Sequence, residues 1–313
     1  MIISASYKTD IPAFYARWFF RRLEEGYCRM LNPYSHCPVR VDLRREAVDG
    51  FVFWTKNFGP FFEHLDRLRA FGVPFVVQYT ITGYPQVLET SVIDAARSIE
   101  HMNRLSGEFG PRAAVWRYDT ILFTTLTDRD FHRRNFERLA RALEHTTDEV
   151  VISFAQVYRK TRRNLNAAAQ RSHFEWWDPE DDFKRSLTSE LVGIARARGM
   201  QLTVCAQRGL VVPGAGEARC IDARRLISIS GRLFQARQKG NRPDCMCDES
   251  RDIGDYDTCP HGCVYCYAVQ HKALAQSRYK RHDPDGEFLF PPEPSTEKGR
   301  RASYELPLSP SRV

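Results

Sequence analysis

The chain has 313 residues, of which 42% are hydrophobic and 27% charged, with a formal net charge of +7. These values are ordinary for a globular protein of one large or two modest domains, and the positive excess permits anionic partners without demanding one. No apolar stretch approaches bilayer length, so a membrane-spanning helix is excluded and no membrane partner is expected. Lys8 and Asp10 interrupt any charged-then-apolar leader, and nine cysteines without a mark of secretion do not predict disulfides, so a cytoplasmic, reducing setting is expected.

In chain order, a β-rich run at 2–6 precedes a helical pattern that Thr9 or Asp10 can cap, that Pro12 suits at its first turn, and that Gly26 follows. A second strand at 50–55 leads to a helix striped by Phe62, Leu65 and Leu68 and closed by Gly72. Strand 74–82 precedes a helix carrying Val92, Ala96, Ile99 and Met102, and strand 113–121 one carrying Phe136, Leu139 and Leu143. Strand 149–158 comes next, then a helix with Phe183, Leu187, Leu191 and Ile194 closed by Gly199, then strand 200–206. The helix spacings fit a period of 3.6, and the Val, Ile, Phe and Tyr runs suit buried parallel strands. Five or six βα units in series predict a TIM-like βα barrel, complete or partial, over residues 1–206, with a doubly wound open sheet as the alternative. No internal repeat of fixed period is present. Residues 207–282 break the pattern and read as a cysteine-rich, cluster-binding extension. The tail 283–313 is rich in Pro, Ser and charge and is expected to be partly disordered.

Function in βα barrels sits at the C-terminal ends of the strands, where polar residues are informative because apolar ones would serve the core better. The first strand ends in Ser4, Ser6, Tyr7 and Lys8, and the second in Trp54, Lys56 and Asn57. The third offers Gln78 and Tyr79, the fourth Arg117 and Asp119, the fifth Ser153 and Gln156, and the sixth Cys205 and Gln207. As a set they predict a polar ligand pocket. The alternative is that they cap helices or pair with one another, as Arg117 and Asp119 could.

Cys259, Cys263 and Cys266 have CxxxCxxC spacing, with Tyr265 and Tyr267 around the last cysteine. Three thiolates on one short loop can each take an iron of a [4Fe–4S] cluster, and the missing fourth cysteine leaves one iron open. A structural zinc is the rival reading, with His261 as a fourth ligand inside the loop. Cys205, Cys220 and the CxC pair Cys245 and Cys247 are the right number for a fully ligated second cluster or a Cys₄ zinc. Cys28 and Cys37 stand apart near the first helix and are not expected to ligate. Basic residues gather at 159–163 and 272–281, and the first run would border the strand ends and could receive a phosphate-bearing substrate. A solvated loop is the alternative there. No nucleic-acid-binding signature accompanies either run, so a nucleic-acid partner is unsupported.

The run His261-Gly-Cys-Val-Tyr-Cys-Tyr267 resembles the cluster loop of spore photoproduct lyase and other radical S-adenosylmethionine (SAM) enzymes, although in those chains the loop follows the first barrel strand. The opening residues 2–12, Phe53-Trp-Thr-Lys-Asn57, Trp116-Arg-Tyr-Asp119 and the closing cysteines are similar to a family of unknown function with such a cluster at its C-terminus. The resemblance covers most of residues 1–270. It implies a [4Fe–4S] centre on Cys259, Cys263 and Cys266 whose open iron chelates SAM. It also implies an electron donor such as flavodoxin or ferredoxin, and an auxiliary cluster as in many radical-SAM enzymes. Under it, Lys56, Arg117 and Asp119 are candidates for chemistry on a small-molecule substrate, and Gln78, Ser153, Gln156 and Tyr265 for holding the cofactor. No clear Gly-Gly-Glu run, the motif that holds the SAM amino group, is present. The expected function is a radical-SAM-type enzyme of unknown substrate. The alternatives are a non-catalytic iron–sulfur redox protein and a zinc-stabilised binding protein.

Overall fold

The computed structural model describes residues 1–292 apart from Pro33, Tyr34 and His36. In chain order, β1 (Ile2–Ala5) is followed by α1 (Ile11–Phe14), α2 (Ala16–Glu25) and a hairpin of β2 (Tyr27–Leu31) and β3 (Pro38–Asp42). Then come β4 (Gly50–Thr55), α3 (Leu65–Phe71), β5 (Phe75–Thr80), α4 (Ala95–Phe109), β6 (Ala114–Ile121) and β7 (Phe123–Thr124). Next are α5 (Arg129–Ala142), β8 (Glu149–Phe154), α6 (Arg159–Ser172), β9 (Trp176–Trp177), α7 (Asp181–Ala197) and β10 (Gln201–Val204). The last part holds β11 (Gly216–Glu217), α8 (Ala223–Ser230), β12 (Ser250–Asp252) and α9 (Lys272–Lys280). Among the described residues no helix is long and apolar enough to cross a membrane.

The fold is mixed α/β, built on one eight-stranded sheet flanked by helices. Every ladder in that sheet is parallel. Reading outward from β1, the strands follow in chain order as β4, β5, β6, β8, β10 and β11, and β12 returns to the free side of β1. Serial order of this kind is how a βα barrel is wound. Closure would require β11 to pair with β12, and no ladder joins them among the described residues. One backbone hydrogen bond, Asp248 N–H to Ile221 O at 2.9 Å, spans the two edges.

Alternation along each strand sends successive side chains to opposite faces. Phe51, Phe53, Val77, Trp116, Ile152 and Val204 face the helices, in a core that also holds Trp18, Phe19, Phe136 and Leu187. Ile2, Val52, Val76, Val115 and Val151 line the other face, where Leu226 of α8 covers them. Both faces are apolar because both are buried, and this is why the strands read as continuous hydrophobic runs. Gly50 is required at this packing: a Cβ there would lie 2.7 Å from Leu226 Cδ1.

Several expectations change in detail. The first helix breaks at Tyr15 into two, with Asp10 as the cap of α1. Asp94 caps α4, so Val92 precedes that helix. The β2–β3 hairpin and α6 were not foreseen, and the basic run 159–163 is the first turn of α6 rather than a loop. The extension at 207–282 supplies β11 and β12 to the main sheet, which therefore crosses the expected 206/207 boundary. Residues 283–292 pack on α2: Gly286 O accepts from Trp18 Nε1 at 3.0 Å, Asp285 O accepts from Arg22 Nη2 at 2.8 Å, and Leu289 is buried. The rest of the expected disordered tail, 293–313, lies outside the described residues.

Candidate functional site

The strand-end polar groups meet, and most of them bond to one another. Arg117 on β6 is buried and donates to Gln78 Oε1 of β5 at 3.2 Å and to Cys220 Sγ at 3.0 Å. It also pairs with Asp119, which accepts in turn from Ser153 of β8. Gln78 Nε2 donates to Cys220 O at 2.8 Å, and the Arg117 guanidinium lies 5.0 Å from the Trp54 ring centroid. Ser4, Ser6 and Lys8 converge on Asp252 of β12, at 2.8, 2.8 and 3.5 Å. Gln156 is not brought to this group; it is exposed and accepts from its neighbour Tyr158 at 2.6 Å.

The triad loop sits against the C-terminal ends of β1, β4 and β5. Short antiparallel contacts fasten it: Val264 N–H to Leu88 O at 3.0 Å and Ser91 N–H to His261 O at 2.9 Å. Asp10 is the hub beneath. Its carboxylate accepts from Ala13 N at 2.9 Å, Lys56 N at 2.7 Å and His261 Nε2 at 2.8 Å. Because His261 Nδ1 also contacts Ser91 O, at 3.3 Å, both ring nitrogens are engaged away from the sulfurs.

Beside the loop, Lys56 Nζ meets Glu89 Oε1 at 2.9 Å, and Glu89 also accepts from Thr82 at 2.7 Å and from Tyr265. Burial opposes the Lys56 charge, but Glu89 and then Cys263 outweigh it and raise its pKa. Burial likewise disfavours the Glu89 carboxylate, and Lys56 together with the hydrogen bonds from Tyr265 and Thr82 outweighs it, so Glu89 titrates below its usual range. Cys259, Cys263 and Cys266 lie within electrostatic reach of one another. Burial pushes all three thiols up, while Lys56 acts the other way on Cys263 and Lys160 and Lys56 on Cys266. Cys266 Sγ also accepts from Ala268 N at 3.4 Å.

The second cysteine set forms a chain of neighbours. Cys205 and Cys220 stand 3.5 Å apart at sulfur, and the Cys247 thiol interacts with those of Cys220 and Cys245. Arg242 joins this set to the rest of the site: it donates to Cys205 at 3.4 Å and lies near Asp119 and Tyr267. Among the described residues no group of three or more His, Cys, Asp or Glu side chains is placed to hold a metal ion. Cys28 is buried, with its thiol pushed up to about 12 by burial, and Cys37 is exposed; neither belongs to a set. On the flank, Arg159, Arg162, Arg163, Asn166 and Gln170 line an open surface groove, and Arg163 ties α6 to Gln270 O at 2.6 Å.

A family described as a domain of unknown function, DUF1848, matches residues 2–268. The chain belongs to the DUF1848 family. The DUF1848 match takes in all twelve strands and both cysteine sets. No curated protein matches this DUF1848 chain. Among solved structures it is similar to a D-hydantoinase, at 9% identity and a TM-score of 0.29, covering 66% of this chain and 41% of that one. It is similar to the dihydropyrimidinase of Brevibacillus agri NCHU1002 at 10% identity and a TM-score of 0.25, covering 61% and 36%. A putative alpha-L-fucosidase from Bacteroides thetaiotaomicron VPI-5482 gives 10% identity and a TM-score of 0.25, covering 82% and 95%. The chain spans less than half the length of the first two, and likenesses this weak bear on neither fold nor chemistry.

Sequence reasoning missed Glu89, Arg242 and Asp252, and it read Asp10 only as a helix cap. Each owes its place to contacts across the fold. Glu89 meets Tyr265 at a separation of 176 residues, and Asp252 meets Ser4 at 248.

Proposed function

We propose that this chain is an iron–sulfur enzyme of the radical-SAM type, with a [4Fe–4S] centre on Cys259, Cys263 and Cys266. The observation that carries the reading is the gathering of these three thiols on one loop over the C-terminal strand ends, beside Lys56 and with no fourth cysteine in the loop. A cubane asks its three thiolates to surround it, each on a different iron, rather than converge on one atom. Lys56 and Lys160 partly counter the burial that raises the Cys263 and Cys266 thiols, whose protons ligation must displace. The group supplies, when bound, one-electron reductive cleavage of S-adenosylmethionine. Asp10 and Glu89 hold the loop, while Arg117 and Asp119 present fixed charges across the same end of the sheet. An external donor of the flavodoxin or ferredoxin kind provides the electron, and a reducing cytoplasm suits such a centre.

A second reading, a non-catalytic iron–sulfur redox protein, is favoured by one observation. The strand-end groups bond largely to one another, as in Gln78–Arg117–Asp119–Ser153. Anaerobic reconstitution separates the two readings. Iron and sulfide with 5′-deoxyadenosine formed after reduction supports the enzyme. A cluster without SAM cleavage supports the redox protein. Stoichiometric zinc with no iron, from iron-replete anaerobic expression, would overturn both.

A further inference from the structure

The four cysteines of the second set lie around the one place where the sheet has no ladder. Cys205 follows β10, Cys220 follows β11, and Cys245 and Cys247 precede β12. Among the described residues, backbone pairing across this seam is reduced to Asp248 N–H to Ile221 O. We propose that Cys205, Cys220, Cys245 and Cys247 bind a single tetrahedral zinc ion that joins the β11 and β12 edges in place of the missing ladder, independently of the triad.

The spacing of the sulfurs points to one ion rather than a polynuclear cluster. Four sulfurs about 2.3 Å from one ion stand about 3.8 Å apart in a tetrahedron. Cys205 and Cys220 are already 3.5 Å apart, and Cys247 touches both Cys220 and Cys245. Sulfurs that each sit on a different iron of a cubane stand farther apart than this. Neutral thiols hold such spacing as neighbours, and a divalent ion that displaces their protons draws the same sulfurs onto one centre by a small movement.

The surroundings are those of a thiolate site. Arg117 Nη1 donates to Cys220 Sγ at 3.0 Å, Arg242 Nη2 to Cys205 Sγ at 3.4 Å, and the Ile221 N–H to Cys247 Sγ at 3.4 Å. Donors of this kind orient metal-bound ligands and temper their charge. Four thiolates on a divalent cation carry a net charge of minus two, against which the two guanidinium groups stand, Arg117 shared with Asp119. The segment that delivers the CxC pair is built for close return. Lys239 N–H bonds Cys247 O at 2.9 Å, and a Cβ on Gly240 would lie 2.2 Å from Cys245 O, so only glycine fits there. Asp248, next to Cys247, accepts from Ala223 N at 2.8 Å and meets Arg219 at 3.5 Å, fixing the pair against the start of α8.

The test is zinc-edge X-ray absorption on the full chain expressed with both zinc and iron. The expected result is zinc with four sulfur neighbours at about 2.3 Å, retained when Cys259, Cys263 and Cys266 are all replaced by alanine. Cys247→Ser should lose the zinc and speed amide exchange at Ile221 and Asp248 by about tenfold or more, a local opening of the seam. If either variant does not fold, the zinc-edge spectrum of the wild type still decides, because the iron of the triad does not contribute to it. Zinc absent from the wild type, zinc with nitrogen or oxygen neighbours, or iron and sulfide remaining in the triad-less chain would each overturn the proposal.

Discussion

Asp10→Ala removes one carboxylate that three donors share. Asp10 is 5% exposed, and it caps α1 through Ala13 N, holds the end of β4 through Lys56 N, and fixes the triad loop through His261 Nε2. Loss of the cap costs about 1 kcal/mol. Each of the other two donors costs about 1–3 kcal/mol when left buried and unmatched. The expected loss is therefore roughly 3–5 kcal/mol, in the lower part of the summed range because water reaches the partly exposed loop. Urea unfolding of the purified chain followed by circular dichroism measures it. Asp10→Asn keeps one acceptor oxygen and should lose roughly half as much. Reconstituted iron should fall in the same order, since the loop is anchored through His261. A loss below about 1 kcal/mol for Asp10→Ala, the worth of the cap alone, would refute the claim that this carboxylate fastens the loop.

His132 is buried between Tyr118 and the Leu122 carbonyl, and burial lowers its pKa to about 4. The unfolded chain takes up this proton near about 6.5 and the folded chain only near about 4, so its share of stability is full above the first value and falls as pH drops between them. Going from about pH 7 to pH 5 should cost roughly 2 kcal/mol through this group, and His132→Gln should remove that slope in urea titrations. Leu226→Ala should cost about 2–5 kcal/mol by opening space on the inner face of the sheet. Gly50→Ala should also destabilise because of the 2.7 Å clash with Leu226, and the double variant should lose less than the sum of the two. Additive losses would mean that Leu226 does not pack on Gly50.

The main strands were legible because burial on both faces leaves an apolar run that no surface element needs. Trp116 and Tyr118 look outward while Val115 and Arg117 look inward, yet all four are buried. The triad was legible as a motif because its three cysteines share one loop. β12 was not: Ser250, Arg251 and Asp252 carry no apolar signal, and they form a strand only by register with Ile2, Ile3 and Ser4. The β2–β3 hairpin has mixed burial and belongs to a separate two-stranded sheet, so its alternation did not stand out. Arg117 and Asp119 were seen as either pocket groups or a pair, and the pairing is what the geometry shows. The second cysteine set could be counted in the sequence. Its position at the open seam could not, because that follows from strand order. Gln156 stands apart from the strand-end group, exposed, because β8 ends at Phe154 before α6 begins.

The place of β12 beside β1 sets a timetable for synthesis. The N-terminal strand lies inside the finished sheet, but its second neighbour is made 248 residues later. Until then the growing chain carries a bare row of N–H and C=O groups along β1, the kind of edge that recruits foreign strands. Parallel pairing at such separation is slow, because the whole intervening chain must be closed before the contact forms. The residues that receive the triad loop, Asp10, Lys56 and Glu89, are all made long before Cys259 leaves the ribosome. The triad loop can therefore reach these residues only after the whole sheet has been made, so that any metal the three cysteines bind is taken up late in folding rather than early.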